Sequence, residues 1–464
     1  MTLIKSISGI RGTIGGEPGK GLTPEDIVKF TSAYALFLQQ THPEKRLKVM
    51  VGRDARISGF MVNQLVTGTL NGMGVDVVDI GLTTTPTTEI AVTASGAHGG
   101  IILTASHNPG QWNAMKFLND QGEFLSDADG KKILNFAKEA AFNYATIDQI
   151  GTCRTEDHYL QKHIDLILQH PLVDVDAIRK ADLKVAIDAV NSTGGIALPI
   201  LLKALQVRHT EMLYCNPTGQ FPHNPEPLPE HLHDICNLVS QTKADVGFVV
   251  DPDVDRLAII MENGEPFGEE YTLVAVADYF LKNIPGPTVS NLSSTMALRV
   301  ITEKAGQHYY ASAVGEVNVV AMMKEKKAVI GGEGNGGVIC PDLHYGRDAL
   351  AGIAFFLSYL ARSGKKCSEL RREYPDFFIS KNKIEFDPEM DIDKLLSAIK
   401  TKYKNYPVTD IDGVKIHFEE GWVHLRRSNT EPIVRIYAES DMLTKAEILA
   451  KKIINDFKEL IKEI

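Results

Sequence analysis

The chain repeats one pattern three times and then abandons it, and this constrains its fold more than any other feature. Each repeat reads apolar strand, small-polar loop, apolar or amphipathic helix. The first is Leu47-Lys48-Val49-Met50-Val51-Gly52-Arg53-Asp54, a helix over residues 59–73, then a second strand at Val75-Asp76-Val77-Val78. The second is Leu183-Lys184-Val185-Ala186-Ile187-Asp188, the loop Asn191-Ser192-Thr193-Gly194-Gly195, and a helix through residue 204. The third is Pro287-Thr288-Val289-Ser290, a polar loop, and a helix through residue 305. Strands alternating with helices predict parallel α/β sheets.

Each repeat also holds a buried strand that ends in a chemically loaded loop. In the first it is Gly99-Gly100-Ile101-Ile102-Leu103, followed by Thr104-Ala105-Ser106-His107-Asn108-Pro109. In the second, Val246-Gly247-Phe248-Val249-Val250 runs into Asp251-Pro252-Asp253-Val254-Asp255-Arg256. In the third, Ala328-Val329-Ile330 runs into Gly331-Gly332-Glu333-Gly334-Asn335-Gly336-Gly337. Sites of α/β sheets collect at strand carboxyl ends, so these loops are expected to carry the chemistry.

Beyond about residue 370 the pattern changes to alternating strands at residues 413–418, 421–425 and 433–438. A helix over residues 443–461 follows, with Thr444 and Glu447 as a capping box. The expected architecture is three related α/β domains with mixed sheets (residues 1–150, 151–253 and 254–368) and a C-terminal α+β domain (369–464).

The length of 464 residues suits several domains, and 44% hydrophobic with 23% charged residues is ordinary globular composition. A net charge of −10 speaks against nucleic acid or an anionic membrane as partner. Residues 1–8 lack a signal-peptide core, and the longest apolar run, residues 350–361, is too short to span a bilayer and reads as a buried helix. The five cysteines form no C-x-x-C pair and are expected to be buried reduced thiols of a cytoplasmic protein.

Asp251, Asp253 and Asp255 alternate, and carboxylates so close repel unless a cation joins them, most simply Mg²⁺. An EF-hand is excluded because its sixth position is Arg256 rather than Gly and residues 257–261 are an apolar strand. The rival is an aspartyl phosphatase with a nucleophilic carboxylate. Ser106 ends a strand without the Gly-x-Ser-x-Gly context of a hydrolase, which favours phosphoryl storage over acyl transfer. Arg426, Ser428, Asn429 and Thr430, with Arg435 as an additional cation, offer a donor cluster suited to phosphate; a solvated basic hairpin is the alternative. Glu333 and Asn335 amid glycines offer acceptors for sugar hydroxyls. Arg11 and the Arg53-Asp54 pair carry a weaker signal, that of surface ion pairs.

Together these motifs resemble the α-D-phosphohexomutase superfamily over essentially the whole chain. The resemblance implies a heart-shaped, four-domain molecule. Ser106 is then the phosphoserine, joining Asp251, Asp253 and Asp255 around Mg²⁺. Glu333 and Asn335 bind sugar, and the 426–430 loop holds the non-reacting phosphate. Arg11, Lys116 and Arg256 match cationic positions around the reacting phosphate, with Lys116 or His107 as base. The implied reaction interconverts hexose 6-phosphate and hexose 1-phosphate, with a hexose 1,6-bisphosphate as intermediate and activator. Many relatives carry Ser in place of Asn335 and His in place of Gly337. The form found here looks closer to phosphoglucosamine-mutase-like and archaeal phosphomannomutase-like enzymes, which points to glucosamine phosphate, with mannose or glucose phosphate as the alternative. A Mg²⁺-dependent sugar phosphatase and a non-catalytic sugar-phosphate-binding protein are the readings from other classes.

Overall fold

The computed structural model describes residues 1–6, 9–43, 45–387, 390–428 and 433–463. The chain divides into two compact units, Met1–Asn283 with Asn335–Arg371, and Ile284–Gly334 with Arg372–Ile464.

The first unit contains a seven-stranded sheet in the order Leu3–Ser6, Gly9–Thr13, Trp112–Leu118, Gly99–Leu103, Lys48–Arg53, Asp76–Leu82, Cys153–Thr155. Its repeat strands are parallel, as the strand–helix alternation predicts, but Trp112–Leu118 runs antiparallel to both Gly99–Leu103 and Gly9–Thr13. The sheet is therefore mixed. Val49, Val51, Ile101 and Leu103 pack on one side among Tyr34, Val62 and Val66, while Met50, Val78 and Ile102 pack on the other against Ala91 and Val92. Burial on both faces is why these strands read as continuous apolar runs.

The unit's second sheet has the order Leu257–Met261, Val246–Val250, Lys184–Asp188, His209–Leu213. The last three are parallel and Leu257–Met261 is antiparallel, so the acidic loop joins two adjacent strands. The helix Ala349–Ser363 is buried through Leu360 and meets Phe248 edge-on through Phe356, with ring centroids 6.1 Å apart.

In the second unit Thr288–Asn291 pairs in parallel with Tyr309–Ser312 on one side and Ile330–Glu333 on the other. A five-stranded sheet follows in the order Phe378–Glu385, Ile433–Ser440, Gly421–Arg427, Val414–Phe418, Val408–Thr409, antiparallel throughout. Val423, Leu425 and Ile436 face Leu395 and Ile399 of Ile392–Lys402 and Ile453 and Phe457 of Leu443–Glu463. This last helix starts at Leu443, so Thr444 lies inside its first turn and does not cap it.

The five cysteines are unpaired. Cys340 and Cys367 are buried as expected, whereas Cys153 is exposed on a short edge strand and Cys215 and Cys236 are half-buried. No helix among the described residues is long and apolar enough to cross a membrane.

Candidate active site

Ser106 and the three aspartates meet in the first unit. The serine hydroxyl donates to Asp251 Oδ2 at 2.8 Å across 145 residues of sequence. Ser106 is held at φ +50°, in the left-handed region that side-chain-bearing residues seldom adopt. Its amide donates to Thr104 Oγ1 (2.9 Å), whose hydroxyl donates to Asp54 (2.7 Å). Its carbonyl accepts from the guanidinium of Arg56.

Arg56 is the brace of this loop. Buried to 1% exposure, it donates through Nε to Asp54 Oδ2 (3.0 Å), and through its two terminal nitrogens to the carbonyls of Ser106, Asn108, Pro109 and Trp112 (2.5–3.0 Å). The partner of Asp54 is thus Arg56, not Arg53, and the pair is buried rather than superficial.

The acidic loop is gripped as firmly. The Pro252 carbonyl accepts from the Ser192 and Thr193 hydroxyls, that of Asp253 from the Thr85 amide, and that of Val254 from the Ala349 amide. Val254 is β-branched and buried, yet held at φ +63°, a strained conformation that persists only where surroundings over-determine it. The result is three fully buried carboxylates with ligand oxygens within 4.8 Å of one another.

These side chains fit a divalent cation. Asp253 Oδ1 and Asp255 Oδ1 are buried and make no hydrogen bond, a costly arrangement for carboxylate oxygens unless a cation completes it. Burial, with Asp255 and Asp253 alongside, pushes the Asp251 carboxyl well above its ordinary range. Burial also acts upward on Asp253, but Lys116 and the Thr85 hydroxyl outweigh it and hold that carboxyl low.

The cations converge on the same place. Arg11, on Gly9–Thr13, pairs in register with Ala114, and Lys116 lies two residues further along that strand, so the two share one sheet face. Arg11 Nη1 donates to Asn108 Oδ1 (2.9 Å). Lys116 Nζ donates to Asp253 Oδ2 (2.9 Å) and lies 3.9 Å from Asp255 Oδ2. Burial pulls the Lys116 ammonium down, but Asp253 and Asp255 outweigh it and the net shift is upward. Service as a base would need neighbouring cations such as Arg11 to lower this pKa; the two carboxylates raise it instead. His107 Nδ1 is 3.4 Å from Ser106 Oγ, and burial with Arg256, Arg11 and Arg347 nearby holds the ring well below its usual pKa. Arg256 donates to Glu226 (3.1 Å).

Two supports escaped the sequence. Thr85 donates through its hydroxyl to Asp253 Oδ2 (2.6 Å), and Arg347 donates to Asp255 Oδ2 (2.6 Å). Asp348, an N-cap before the apolar helix, was the only local signal near Arg347. Asn335 is also in this unit, where its Oδ1 accepts from the Gly337 amide at 3.3 Å. A Cβ on Gly337 would lie 2.3 Å from Arg347 Cδ, so glycine there leaves Arg347 room to reach Asp255.

The other expected ligand-binding residues lie in the second unit. Glu333 accepts from Asn291 Nδ2 (2.8 Å) and from the Gly315 amide (3.3 Å). Arg426 and Arg435 are direct cross-strand partners, and Lys383 faces Arg435 from the next strand. Like charges directly opposite destabilise a sheet unless an anion joins them. Arg426 also pairs with Asp412 at 2.7 Å. Ser428 is buried, and its amide donates to the Ile433 carbonyl (2.9 Å). Asn429 and Thr430 lie outside the described residues.

Comparison with known proteins identifies the family. Residues 3–144, 161–264 and 268–377 match the phosphoglucomutase/phosphomannomutase alpha/beta/alpha domains I, II and III, and 383–455 match the C-terminal domain of that family. A phosphoglucomutase/phosphomannomutase of Thermococcus kodakarensis is 36% identical over 94% of both chains. A probable phosphoglucosamine mutase of Methanopyrus kandleri is 30% identical over 98% of both. The crystal structure of a phosphoglucomutase/phosphomannomutase family protein from Burkholderia thailandensis superposes with a TM-score of 0.82 at 25% identity, covering 99% of this chain and 97% of that one. With a serine and an aspartate triad joined in one buried site and all four domains matched, the chain belongs to the phosphoglucomutase/phosphomannomutase family and is a phosphohexomutase, an isomerase.

Proposed function

We propose that the protein interconverts hexose 6-phosphate and hexose 1-phosphate through a phosphate carried on Ser106. The observation that carries this reading is the 2.8 Å bond between Ser106 Oγ and Asp251. It makes the serine part of the cation site, whereas a phosphatase acting through its aspartates would leave Ser106 dispensable.

Asp251, Asp253 and Asp255, with Ser106, would hold Mg²⁺. The ion would supply neutralisation of phosphoryl charge. Arg11, Lys116, Arg256 and Arg347 orient the transferring group, since positioning and charge do most of the work in phosphoryl transfer. The bond from phosphorus to Ser106 Oγ breaks as one forms to a hydroxyl of the sugar monophosphate. The hydroxyl proton passes to His107, which lies 3.4 Å from Ser106 Oγ and which burial and the surrounding arginines keep unprotonated, or to Lys116 once it is freed of the proton that Asp253 and Asp255 now hold on it. The 1,6-bisphosphate then turns end for end, and its other phosphoryl group returns to Ser106. A hexose 1,6-bisphosphate added from solution loads unphosphorylated Ser106 and so acts as activator. Glu333 and Asn335 contact the sugar, and Arg426, Ser428, Asn429, Thr430 and Arg435 hold the phosphate that is not reacting.

Glucosamine phosphate is the substrate we favour, on the Gly-Glu-Gly-Asn-Gly-Gly loop and the name of the Methanopyrus kandleri relative. The Thermococcus kodakarensis relative favours glucose or mannose phosphate. Incubation with hexose 1,6-bisphosphate, intact mass and peptide mapping should place one phosphate on Ser106. A panel of glucosamine, mannose and glucose phosphates then ranks the sugars. Stable phosphate on Asp251 or Asp253, with Ser106→Ala fully active, would establish the phosphatase instead.

A further inference from the structure

Behind the acidic loop, in the same unit, lies a buried cluster that the reaction does not use. His344 presents Nδ1 to Glu89 Oε2 at 2.9 Å and Nε2 to Asp348 Oδ2 at 3.3 Å. With a carboxylate facing each of its nitrogens, the ring is an imidazolium paired with both. Burial opposes that charge, but the Asp348 and Glu89 carboxylates outweigh it and raise the pKa to about 10. His163 completes the cluster. The Thr84 hydroxyl donates to Thr87 Oγ1, which lies 3.0 Å from His163 Nδ1, and His163 Nε2 is 2.8 Å from the same Asp348 Oδ2. Asp348 Oδ1 accepts from the Leu350 and Ala351 amides and so caps the helix Ala349–Ser363. The approach is tight: a Cβ on Gly346 would lie 1.8 Å from Glu89 Oε2.

The cluster joins two elements, and each also grips the acidic loop. Glu89 belongs to the helix Thr85–Ser95, whose first residue binds Asp253 through both hydroxyl and amide. Asp348 follows Arg347, which binds Asp255, and precedes Ala349, whose amide binds the Val254 carbonyl. The spacing of these two supports sets the spacing of the carboxylates between them.

We propose that His344 is a positioning residue for the cation site, its imidazolium locking the helix Thr85–Ser95 to the Arg347–Asp348 segment so that Asp253 and Asp255 keep their separation. This rests on the reading of the triad as a divalent-cation site. Replacing His344 by Gln, which cannot bridge two carboxylates as a cation, loosens both supports at once.

The test is Mn²⁺ binding to the full chain, followed by electron paramagnetic resonance of the free ion. His344→Gln should weaken Mn²⁺ affinity about tenfold, the lower end of what outer-sphere partners contribute. The metal concentration for half-maximal mutase activity should rise by the same factor, while KM for sugar phosphate at saturating metal stays within about twofold. His344→Lys, which restores a cation, should recover part of the loss. Glu89→Gln, a gentler change that serves if His344→Gln does not fold, should weaken binding by a smaller factor than His344→Gln does. The control is His170→Ala, in the same unit and packed on Phe280 and Phe355, which should lower thermal stability without changing Mn²⁺ affinity. Wild-type affinity in His344→Gln and Glu89→Gln would overturn the proposal, as would equal losses in His170→Ala. A stoichiometric transition metal bound by His163, His344 and Asp348 would overturn it too. Failure of Asp253→Asn to weaken Mn²⁺ binding would instead remove the cation site itself, a result the His344 variants do not share.

Discussion

Replacing Arg56 by Lys should cost both stability and phosphoryl transfer. Lysine keeps the charge opposite Asp54 but has three donors on one atom, and cannot span the carboxylate and four carbonyls that the guanidinium reaches. At least two bonds are lost. Charge-assisted bonds are worth about 1.5–3 kcal/mol each, so the loss is about 3–6 kcal/mol. At about 2–4 °C per kcal/mol for a domain of 150–250 residues, the melting temperature should fall by roughly 6–24 °C. Arg56→Met, which also strands the buried Asp54 carboxylate, should lose more. The kinetic effect follows from Ser106. Its backbone at φ +50° stores about 1–3 kcal/mol of strain, and the grip of Arg56 on its carbonyl helps maintain that strain. Once freed, the loop relaxes and the hydroxyl leaves Asp251; a displacement of about 1 Å costs on the order of 100-fold in rate. Thermal unfolding and single-turnover transfer of phosphate from Ser106 measure the two effects. An Arg56→Lys variant that melts within about 2 °C of wild type and transfers phosphate at the wild-type rate would refute the bracing role.

Asp253→Asn should lower Mg²⁺ affinity about 100-fold or more and cut turnover strongly with the fold intact, because it removes one of three clustered carboxylates; calorimetric Mg²⁺ titration with circular dichroism checks this, and full activity in chelator would contradict it. Arg426→Ala should raise KM about 10–100-fold, the worth of one charge-assisted bond, in both reaction directions, while phosphorylation of Ser106 by small phosphoryl donors stays unchanged; a defect in one direction only would contradict a shared phosphate anchor. His344 also sets a pH dependence. Its pKa rises from 6.5 to about 10 on folding, so its stabilisation is fully present below pH 6.5 and is lost as pH climbs toward 10. The slope reaches about 1.4 kcal/mol per pH unit between these values, and chemical denaturation at pH 7, 8 and 9 should show a decline that His344→Gln flattens.

Much of this protein was legible because it is local. Strands buried on both faces, such as 49–51 and 101–103, announce themselves as apolar runs, and a run ending in Asp-x-Asp-x-Asp announces a cation site because repulsion at that spacing acts within five residues. Ser106 was legible for the same reason, as a polar stop at the end of such a strand. The strand 112–118 was harder, since its direction depends on two neighbours drawn from distant parts of the chain. The Asp54–Arg56 pair is the sharpest case. The residues are two apart and easily seen, yet whether the guanidinium lies in solvent or at the centre of the serine loop depends on carbonyls about fifty residues away. Thr85 and Arg347, the supports of Asp253 and Asp255, stand 168 and 92 residues from them. The Lys116 shift runs upward because the carboxylates reaching it lie 137 and 139 residues onward. Hydrophobic period and charge spacing act over a few residues and are written into the sequence by itself. The partner of each buried charge depends on which distant segments the cores bring together, and only the tertiary structure decides that.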